Sequence, residues 1–507
     1  MNVSSAESRA AKPADIHELV SPAGSLLDLF RKVAGRARKL PGEIVRWAAL
    51  GLGSLAATAS LAAALCSSVA LGGETAPPRP AARRAAAKPN IIYIMADDLG
   101  YGDVGCYGQK KILTPRLDKM AAEGVRFTQF YTPAPVCAPA RRSLLTGMHG
   151  GHSTRRANNP IATMKAGEVT VAEVLKQAGY ATAIVGKWAE GIGKSSGAPR
   201  KQGFDYWCGV PQERGHGYHH WRLWKNGKMT TGKENPGQYE AHCTNMYTDE
   251  AIGFIKRNKK KPFFLYLPYQ APHFKYEVPK ADMKVYADKP WDKKQKAFAA
   301  LVTMMDRNIG RILDTLKELE LDKNTVVMFT SDNGPSFTTS YKFWGSCGRF
   351  QGIKRSLHEG GIRVPMIVRW PGTIAPGTTC ESPFAGYDFL ATAADLAEVK
   401  QPPATDGVSF LPSLLGREQK GHDYLYWESH ERNTLVAVRM GKWKLIRDKR
   451  KTKWGPYLFD LEKDPGESKN LAKSNPKVVK KLLAIMRKEH TPSAVKKWQL
   501  PAAWLKD

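Results

Sequence analysis

The sequence predicts an α/β fold, with a large doubly wound sheet in the longer part of the chain and a smaller α+β domain after it. Three observations support this fold class. The 507 residues suffice for one large domain and a small companion. Between residues 89 and 419, short apolar runs alternate with amphipathic helical stretches. From residue 420 onward, short strands separated by turns replace this alternation, which is typical of a small antiparallel sheet.

The large domain is predicted to begin with a buried parallel strand, NIIYIMADD (90–98), an apolar run that ends in two acids. The segment TPRLDKMAAEG (114–124) predicts a helix, because Thr can cap its start, Pro suits its first turn and Gly can end it. By the same patterns, further strands are predicted at 125–131, 181–185, 262–268, 326–330 and 362–370. Further helices are predicted at 169–178, 247–257 and 297–319.

The smaller domain, residues 420–507, is predicted to hold a short antiparallel sheet closed by one helix. Its strands are predicted at 435–439, 443–446 and 457–460, and its helix at 476–490. The catalytic chemistry of the chain, in contrast, is expected from residues 89–419, because the polar residues that end strands are found there.

The N-terminal part of the chain has the pattern of an export segment. Residues 1–47 are polar and basic, and residues 47–71 carry no charge and are rich in Ala, Leu and Ser. We therefore predict a signal peptide or a retained signal anchor with a basic leader over residues 1–73, and a Pro/Ala/Arg linker over 74–88. The protein is expected to be exported, whether periplasmic, secreted or signal-anchored, and to meet a membrane only through this segment if it is uncleaved.

The formal net charge of +30 is the unusual feature of the composition. The lysines and arginines are spread along the chain rather than gathered beside aromatic residues or on a recognition helix, so no nucleic-acid partner is expected. Sulfated or acidic glycans would suit such a surface, and a solvated basic surface without a specific partner is the alternative. The seven cysteines show no zinc-ligand spacing, and the six outside the N-terminal segment permit disulfides without requiring them.

Polar residues follow the predicted strands of the large domain, and the carboxyl ends of such strands form the ligand-binding edge of an open α/β sheet. Each has an ordinary structural interpretation when taken alone, such as an Asx turn or a solvated lysine. Taken together, three carboxylates and an amide suit a hard cation, and the basic side chains beside them suit a tetrahedral oxyanion. These residues are Asp97, Asp98, Lys187, His273, Asp332 and Asn333, with Lys354 from a Gly-rich loop.

Cys137 lies among three prolines, ahead of two arginines and an apolar run that could begin a helix. Two interpretations are open from these residues alone. A thiol at a constrained turn with cations nearby could be a nucleophile. A buried and unreactive cysteine in a Pro-rich loop is the alternative.

Eight motifs, in family order, carry a resemblance that extends from about Pro89 to the C-terminus. They are MADDLGYGDVGCYG, TPRLDKMAAEGVRF, CAPARRSLLTG, GYATAIVGKW, PFFLYLPYQAPH, FTSDNGP, GIKRSLHEGGIRVP and DPGESKNLA. On these motifs the chain resembles the formylglycine-dependent sulfatases, arylsulfatase-like members of the alkaline phosphatase superfamily. The resemblance implies an alkaline-phosphatase-like large mixed sheet sandwiched by helices, with a smaller C-terminal α+β domain. It also implies hydrolysis of sulfate monoesters, on a sulfated carbohydrate such as a polysaccharide.

The resemblance further implies a role for each matching residue. A separate maturation enzyme that reads C-x-P-x-R would oxidise Cys137 to formylglycine; here the motif is CAPAR, with Ala140 where Ser is commoner. Arg141 would orient the formylglycine hydrate, His273 would protonate or polarise the leaving oxygen, and Lys187 and Lys354 would hold the sulfate oxygens. One divalent cation, Ca²⁺ in preference to Mg²⁺, would be bound by Asp97, Asp98, Cys137, Asp332 and Asn333.

The implied chemistry follows from the substrate. A sulfate monoester is a stable anion, so its charge must be neutralised before a nucleophile can approach. One hydroxyl of an aldehyde hydrate would attack sulfur and expel the alcohol, and the other would then collapse to the aldehyde and release inorganic sulfate. A serine could perform only the first half.

The chain departs from the family at one position near the site. Most relatives read GKWHLG after the strand at 181–185, whereas this chain has Ala189 in place of the histidine, as some relatives also have a small residue there. A downstream loop contains His216, which we predict to replace the missing base or to contact substrate; incidental surface histidines are the alternative. Two rival functions remain, a phosphate or phosphonate ester hydrolase of the same fold and a catalytically silent sulfoglycan-binding protein.

Overall fold

The computed structural model describes residues 88–159, 162–191, 193–210, 218, 222–231, 242–448 and 455–500. The predicted export segment, all but the last residue of the predicted linker, and His216 therefore lie outside the described residues. Among the helices of the described ranges, none is long and apolar enough to cross a membrane.

A ten-stranded mixed sheet forms the centre of the large domain. Its strands, numbered in chain order, are β1 (Asn90–Ala96), β2 (Val125–Phe127), β4 (Ala181–Lys187), β5 (Tyr206–Val210), β6 (Arg222–Lys225), β7 (Lys228–Thr231), β8 (Phe263–Pro268), β9 (Thr325–Ser331), β10 (Met366–Arg369) and β11 (Thr378–Cys380). They lie in the order β11-β2-β10-β9-β1-β8-β4-β5-β6-β7. The five central strands, β9 to β5 in that order, run parallel. On either side the next strand is antiparallel, β10 beside β9 and β6 beside β5. A separate pair consists of β3 (Phe130–Tyr131) and β12 (Phe384–Ala385).

Helices cover both faces of the large sheet, as the resemblance implied. Alternate residues of β1 point to opposite faces, so Ile92 packs in one hydrophobic cluster and Tyr93 in the other. The helices of the described residues are α1 (Pro115–Ala122), α2 (Cys137–Thr146), α3 (Val171–Gln177), α4 (Cys243–Asn258), α5 (Lys280–Met283), α6 (Lys293–Glu318), α7 (Tyr341–Trp344), α8 (Glu359–Ile362), α9 (Asp388–Leu396), α10 (Leu411–Leu414) and α11 (Pro476–Lys488). The predicted fold class is confirmed.

Several predicted boundaries were wrong, each for a local reason. The helix predicted at 297–319 begins earlier, at Lys293, because Asp292 and Gln295 form a capping box that the apolar periodicity does not reveal. The strand predicted at 362–370 begins only at Met366: Glu359–Ile362 is helical, and Pro365 before the strand has no N–H to donate to the sheet. The strand predicted at 125–131 is divided into β2 and β3.

The C-terminal part of the chain forms an antiparallel sheet, as predicted, and this sheet has four strands. Its strands are β13 (Leu425–Ser429), which the sequence analysis missed, β14 (Leu435–Met440), β15 (Trp443–Asp448) and β16 (Tyr457–Asp460). One face packs on α11, and the other packs on residues of the large domain such as Tyr131 and Ile362. The domain boundary at residue 419 stays a prediction. All six cysteines in the described residues are free thiols.

Candidate active site

The order of the central strands brings the predicted site residues to one edge of the sheet. Asp97 and Asp98 follow β1, and Asp332 and Asn333 follow β9, which lies beside β1. Lys187 is the last residue of β4, and His273 follows β8, which lies between β1 and β4. The parallel strands all end at this edge, which is where open α/β sheets bind ligands. Four segments that are distant in sequence therefore contribute to one site.

Cys137 is the first residue of α2, directly after Val136 in extended conformation. Its thiol is buried; Sγ lies 3.4 Å from Asp97 Oδ1 and 3.2 Å from the Nζ of Lys354. Burial, and then the charge of Asp97, raise the pKa of this thiol well above its ordinary value. The unmodified residue would thus be a poor thiolate nucleophile, although its surroundings are rich in charge.

Arg141 follows Cys137 by one helical turn, so both side chains lie on the same face of α2. The guanidinium is fully buried, and its Nη2 donates to Asp332 Oδ2 at 2.7 Å and lies 3.4 Å from Asp97 Oδ2. Its Nη1 donates to the carbonyl of Lys187 at 3.2 Å. These contacts hold Arg141 rigidly between two carboxylates at the base of the site.

The carboxylates and the amide form a set of oxygen atoms around Cys137. Asn333 Nδ2 donates to Asp98 Oδ1 at 2.7 Å, and the backbone N–H of Asp98 donates to Asp332 Oδ1 at 3.2 Å. Asn333 Oδ1 is buried and has no hydrogen-bond partner among the described residues. Ligand atoms of Asp97, Asp98, Cys137 and His273 lie within 4.8 Å of one another. An unpartnered buried amide oxygen beside three carboxylates fits a hard divalent cation, which prefers such oxygen donors.

The two lysines approach the carboxylates from different segments, Lys187 from the end of β4 and Lys354 from a loop. Lys187 Nζ donates to Asp97 Oδ2 at 2.6 Å, and Lys354 Nζ donates to Asp98. Burial disfavours the charge of Asp97, but the fields of Lys187, His273 and Arg141 outweigh it and hold the pKa of that carboxyl well below its usual range. The site therefore combines ionised carboxylates with positive groups that could bind an anion.

Among the predicted site residues that the structure describes, His273 is the most exposed, with 33 % of its side chain accessible. Its Nε2 lies 3.6 Å from Asp98 Oδ2. It thus lies at the mouth of the site, where a substrate would meet it. His216 is outside the described residues, and its predicted role stays a prediction; turnover by a His216→Ala variant would test it.

Ala189, where most relatives have histidine, has a φ of 72° and is 5 % exposed. Its carbonyl accepts a hydrogen bond of 2.5 Å from Arg155 Nη1, which ties this turn down. The next residue, Glu190, is fully buried and pairs with Arg142 Nη2 at 2.5 Å. This buried pair was not predicted from the sequence. Its signal there was the doubled arginine of CAPARR, of which Arg141 faces the site and Arg142 faces away from it.

Comparisons with known proteins agree on the class of enzyme. The family profile described as Sulfatase matches residues 89–399, and that described as N-sulphoglucosamine sulphohydrolase, C-terminal, matches residues 345–492. The N-acetylgalactosamine-6-O-sulfatase of Bacteroides thetaiotaomicron is 33% identical over 496 residues, covering 80% of this chain and 93% of the relative. The N-acetylgalactosamine-6-sulfatase of Canis lupus familiaris is 34% identical, covering 75% of this chain and 76% of the relative.

Solved structures agree with the sequence relatives. The crystal structure of Ps i-CgsB in complex with k-i-k-neocarrahexaose has a TM-score of 0.71 and 29% identity, covering 82% of this chain and 94% of that one. The fold and these matches define a sulfuric ester hydrolase. Because the first profile spans more than half of the chain, the chain belongs to the sulfatase family. Membership of this family implies a bound metal ion and a formylglycine residue.

Proposed function

We propose that this sulfatase uses formylglycine formed from Cys137, together with one Ca²⁺ ion, to remove sulfate from carbohydrate. One observation carries the proposal: Cys137 begins α2 among three buried carboxylates, an unpartnered amide oxygen and Lys354. This surrounding suits a hard oxygen nucleophile better than a thiol, whose pKa is raised here. An aldehyde hydrate at residue 137 would supply such an oxygen.

The cation would be held by Asp97, Asp98, Asp332, Asn333 and the modified residue 137. When bound, it would supply positive charge that offsets the negative charge of the sulfate group. Oxygen donors alone, without a histidine pair or thiolate pair, favour Ca²⁺ or Mg²⁺, and we propose Ca²⁺ because it tolerates a larger and less regular oxygen shell.

The chain's own residues would bind and orient the sulfate. Lys354 Nζ lies 3.2 Å from Cys137 Sγ, so it would contact both the nucleophilic oxygen and the sulfate that it attacks. Lys187 would bind a second sulfate oxygen from the opposite side of Asp97. Arg141, held by Asp332 and Asp97, would orient residue 137. His273 at the mouth would donate a proton to the alcohol oxygen as the ester bond breaks.

The proposed substrate is a sulfate ester on a carbohydrate, with 6-O-sulfated N-acetylgalactosamine as the first sugar to test. Two relatives at 33% and 34% identity are named for that activity. A solved neighbour at 29% identity is described with a bound neocarrahexaose. The net charge of +30 favours approach of a polyanionic glycan over that of a neutral one.

We also propose export and maturation by a partner enzyme. Residues 1–73 would direct the chain out of the cytoplasm, with or without later cleavage, and a formylglycine-generating enzyme would read the CAPAR motif. N-terminal sequencing of the protein from its own host would locate the mature start. An intact residue 1 on a cytoplasmic protein would contradict the export proposal.

Mass spectrometry of the peptide that contains residue 137 tests the proposal most directly. We expect an aldehyde in place of the thiol when the chain is produced with a competent maturation enzyme, together with hydrolysis of aryl sulfate in preference to aryl phosphate. Cys137→Ser should stop after one turnover as a stable sulfate ester. The matched control, Cys380→Ser, changes another buried thiol and should keep full turnover. An unmodified thiol in an active enzyme would refute the proposal.

A further inference from the structure

A cavity lies next to the candidate site, on the side of the C-terminal sheet. It has a volume of about 460 Å³, within the range of ligand pockets, and Lys354 lines it. The same Lys354 contacts Cys137 with its Nζ, so the cavity and the proposed sulfate site share this residue. Its other walls are the loop around Arg355 and the turn between β13 and β14.

Arg355 is held in this wall by its backbone. Its φ of 75° lies in the left-handed region, which is costly for a residue with a β-carbon, and its N–H donates to the carbonyl of Pro135 at 2.8 Å. The Nε of Arg355 is buried and has no hydrogen-bond partner within the described part of the chain. Its nearest acid, Glu431, is 3.9 Å away and already accepts the backbone N–H of Asn158 at 2.7 Å.

A second arginine lines the same cavity from the β13–β14 turn. Arg432 is exposed, and no hydrogen bond or ion pair joins its guanidinium to any described residue. The cavity thus holds two arginines and Lys354 against one carboxylate, Glu431, giving it an excess of positive charge. The unpaired guanidinium of Arg432, beside that of Arg355 with its long 3.9 Å ion pair to Glu431, is well suited to bind a carboxylate or sulfate.

An exposed aromatic ring completes the cavity. Phe337 lines it and is 64% exposed, so its ring is accessible to a ligand in the cavity. Phe337 follows the β9 loop that carries Asp332 and Asn333, so it lies on the same segment as the proposed metal ligands. A flat apolar surface beside cations can pack against the hydrophobic face of a pyranose ring.

We propose that this cavity is a subsite for the sugar next to the sulfated one, and that Arg355 and Arg432 bind an anionic substituent on that sugar. The substituent is a uronate carboxylate or a second sulfate, and Phe337 packs against the ring. The inference rests on the proposed function, because it takes Lys354 as the boundary between the sulfate site and this subsite. The subsite implies that the enzyme acts on chains of acidic sugars rather than on isolated sulfated monosaccharides.

The test compares substrates that differ only beyond the sulfated sugar. For the whole enzyme, kcat/KM is measured on an aryl sulfate and on sulfated disaccharides whose second sugar carries a carboxylate, a sulfate or no charge. Losing one charged hydrogen bond corresponds to roughly a 10- to 100-fold effect. Arg432→Gln should therefore lower the ratio of kcat/KM on a charged disaccharide to that on the aryl sulfate by this factor. The charged disaccharide whose kcat/KM falls more in the Arg432→Gln variant carries the preferred substituent.

Arg417→Gln is the matched control, since Arg417 is exposed but does not line the cavity. It should leave the substrate ratio unchanged. The subsite would be overturned if Arg432→Gln left the ratio unchanged on both charged disaccharides, or if it affected the neutral disaccharide equally. Phe337→Ala should weaken all disaccharides together.

Binding to a Cys137→Ala protein separates this inference from the proposed function. Calorimetry with the charged disaccharide needs no turnover, so Arg432→Gln in that background should weaken binding even if formylglycine chemistry is absent. Equal affinity with and without Arg432 would refute the subsite. A failure of wild-type turnover alongside a preserved effect of Arg432 on binding would refute the catalytic proposal only.

Discussion

Lys444 offers a stability prediction whose magnitude follows from its surroundings. Its side chain is fully buried in β15, and its Nζ lies 2.8 Å from Glu359 and 2.9 Å from Glu467, both also fully buried. Glu359 lies in α8, five residues after Lys354, so this cluster anchors the segment that carries a proposed catalytic lysine. Replacing Lys444 by Met keeps the aliphatic stem and removes only the charge.

Removing one partner of a buried ion pair costs about 3–5 kcal/mol, because the other charge stays buried without compensation. Part of that loss is offset here: Glu359 keeps Arg363 at 3.1 Å, and Glu467 keeps the hydrogen bond from the backbone N–H of Glu359 at 2.6 Å. The expected loss in the free energy of unfolding for Lys444→Met is therefore at the lower end, about 3 kcal/mol.

Lys442→Met is the matched control, two residues away in the same hairpin. Lys442 is 35% exposed and pairs with Asp460 at 3.0 Å, so its ion pair contributes about 0–1 kcal/mol. Urea unfolding followed by tryptophan fluorescence compares the two variants. A loss for Lys444→Met below about 1 kcal/mol, or no larger than that of Lys442→Met, would refute the reasoning.

Two further predictions concern the metal site and a histidine cluster. Asn333→Leu removes the unpartnered Oδ1 and should weaken Ca²⁺ binding by on the order of tenfold or more in calorimetry; wild-type affinity would exclude Asn333 as a ligand. His152 hydrogen-bonds Asp406 at 2.8 Å, and this bond raises the pKa of the imidazole, so its contribution to stability is complete below about pH 6.5 and is lost as pH rises through the raised pKa. The stability difference between wild type and Asp406→Asn, measured by urea unfolding, should thus shrink as the pH rises above about 6.5, and a constant difference would contradict the assignment.

Much of the site could be predicted because its residues come directly after predicted strands in the sequence. The apolar run of β1 stops at Asp97 and Asp98, and that of β9 stops at Asp332 and Asn333, so local pattern alone indicated polar groups at one edge. The structure adds their arrangement: β1 lies beside β9 and β8, which no local pattern specifies. The catalytic roles of individual residues, such as the binding of a sulfate oxygen by Lys187, belong to the proposed function and are tested with it.

The sequence by itself determined the fold class, the family and the set of residues at the carboxyl edge, since each depends on short motifs and on periodicity within one segment. Only the tertiary structure decided the partner of Arg142, the buried Glu190 after β4, because that depends on how α2 lies against the sheet. It also decided that Arg355 and Arg432, 77 positions apart, share a cavity with Lys354. Packing between distant segments creates such a cavity, and no periodicity within either segment encodes it.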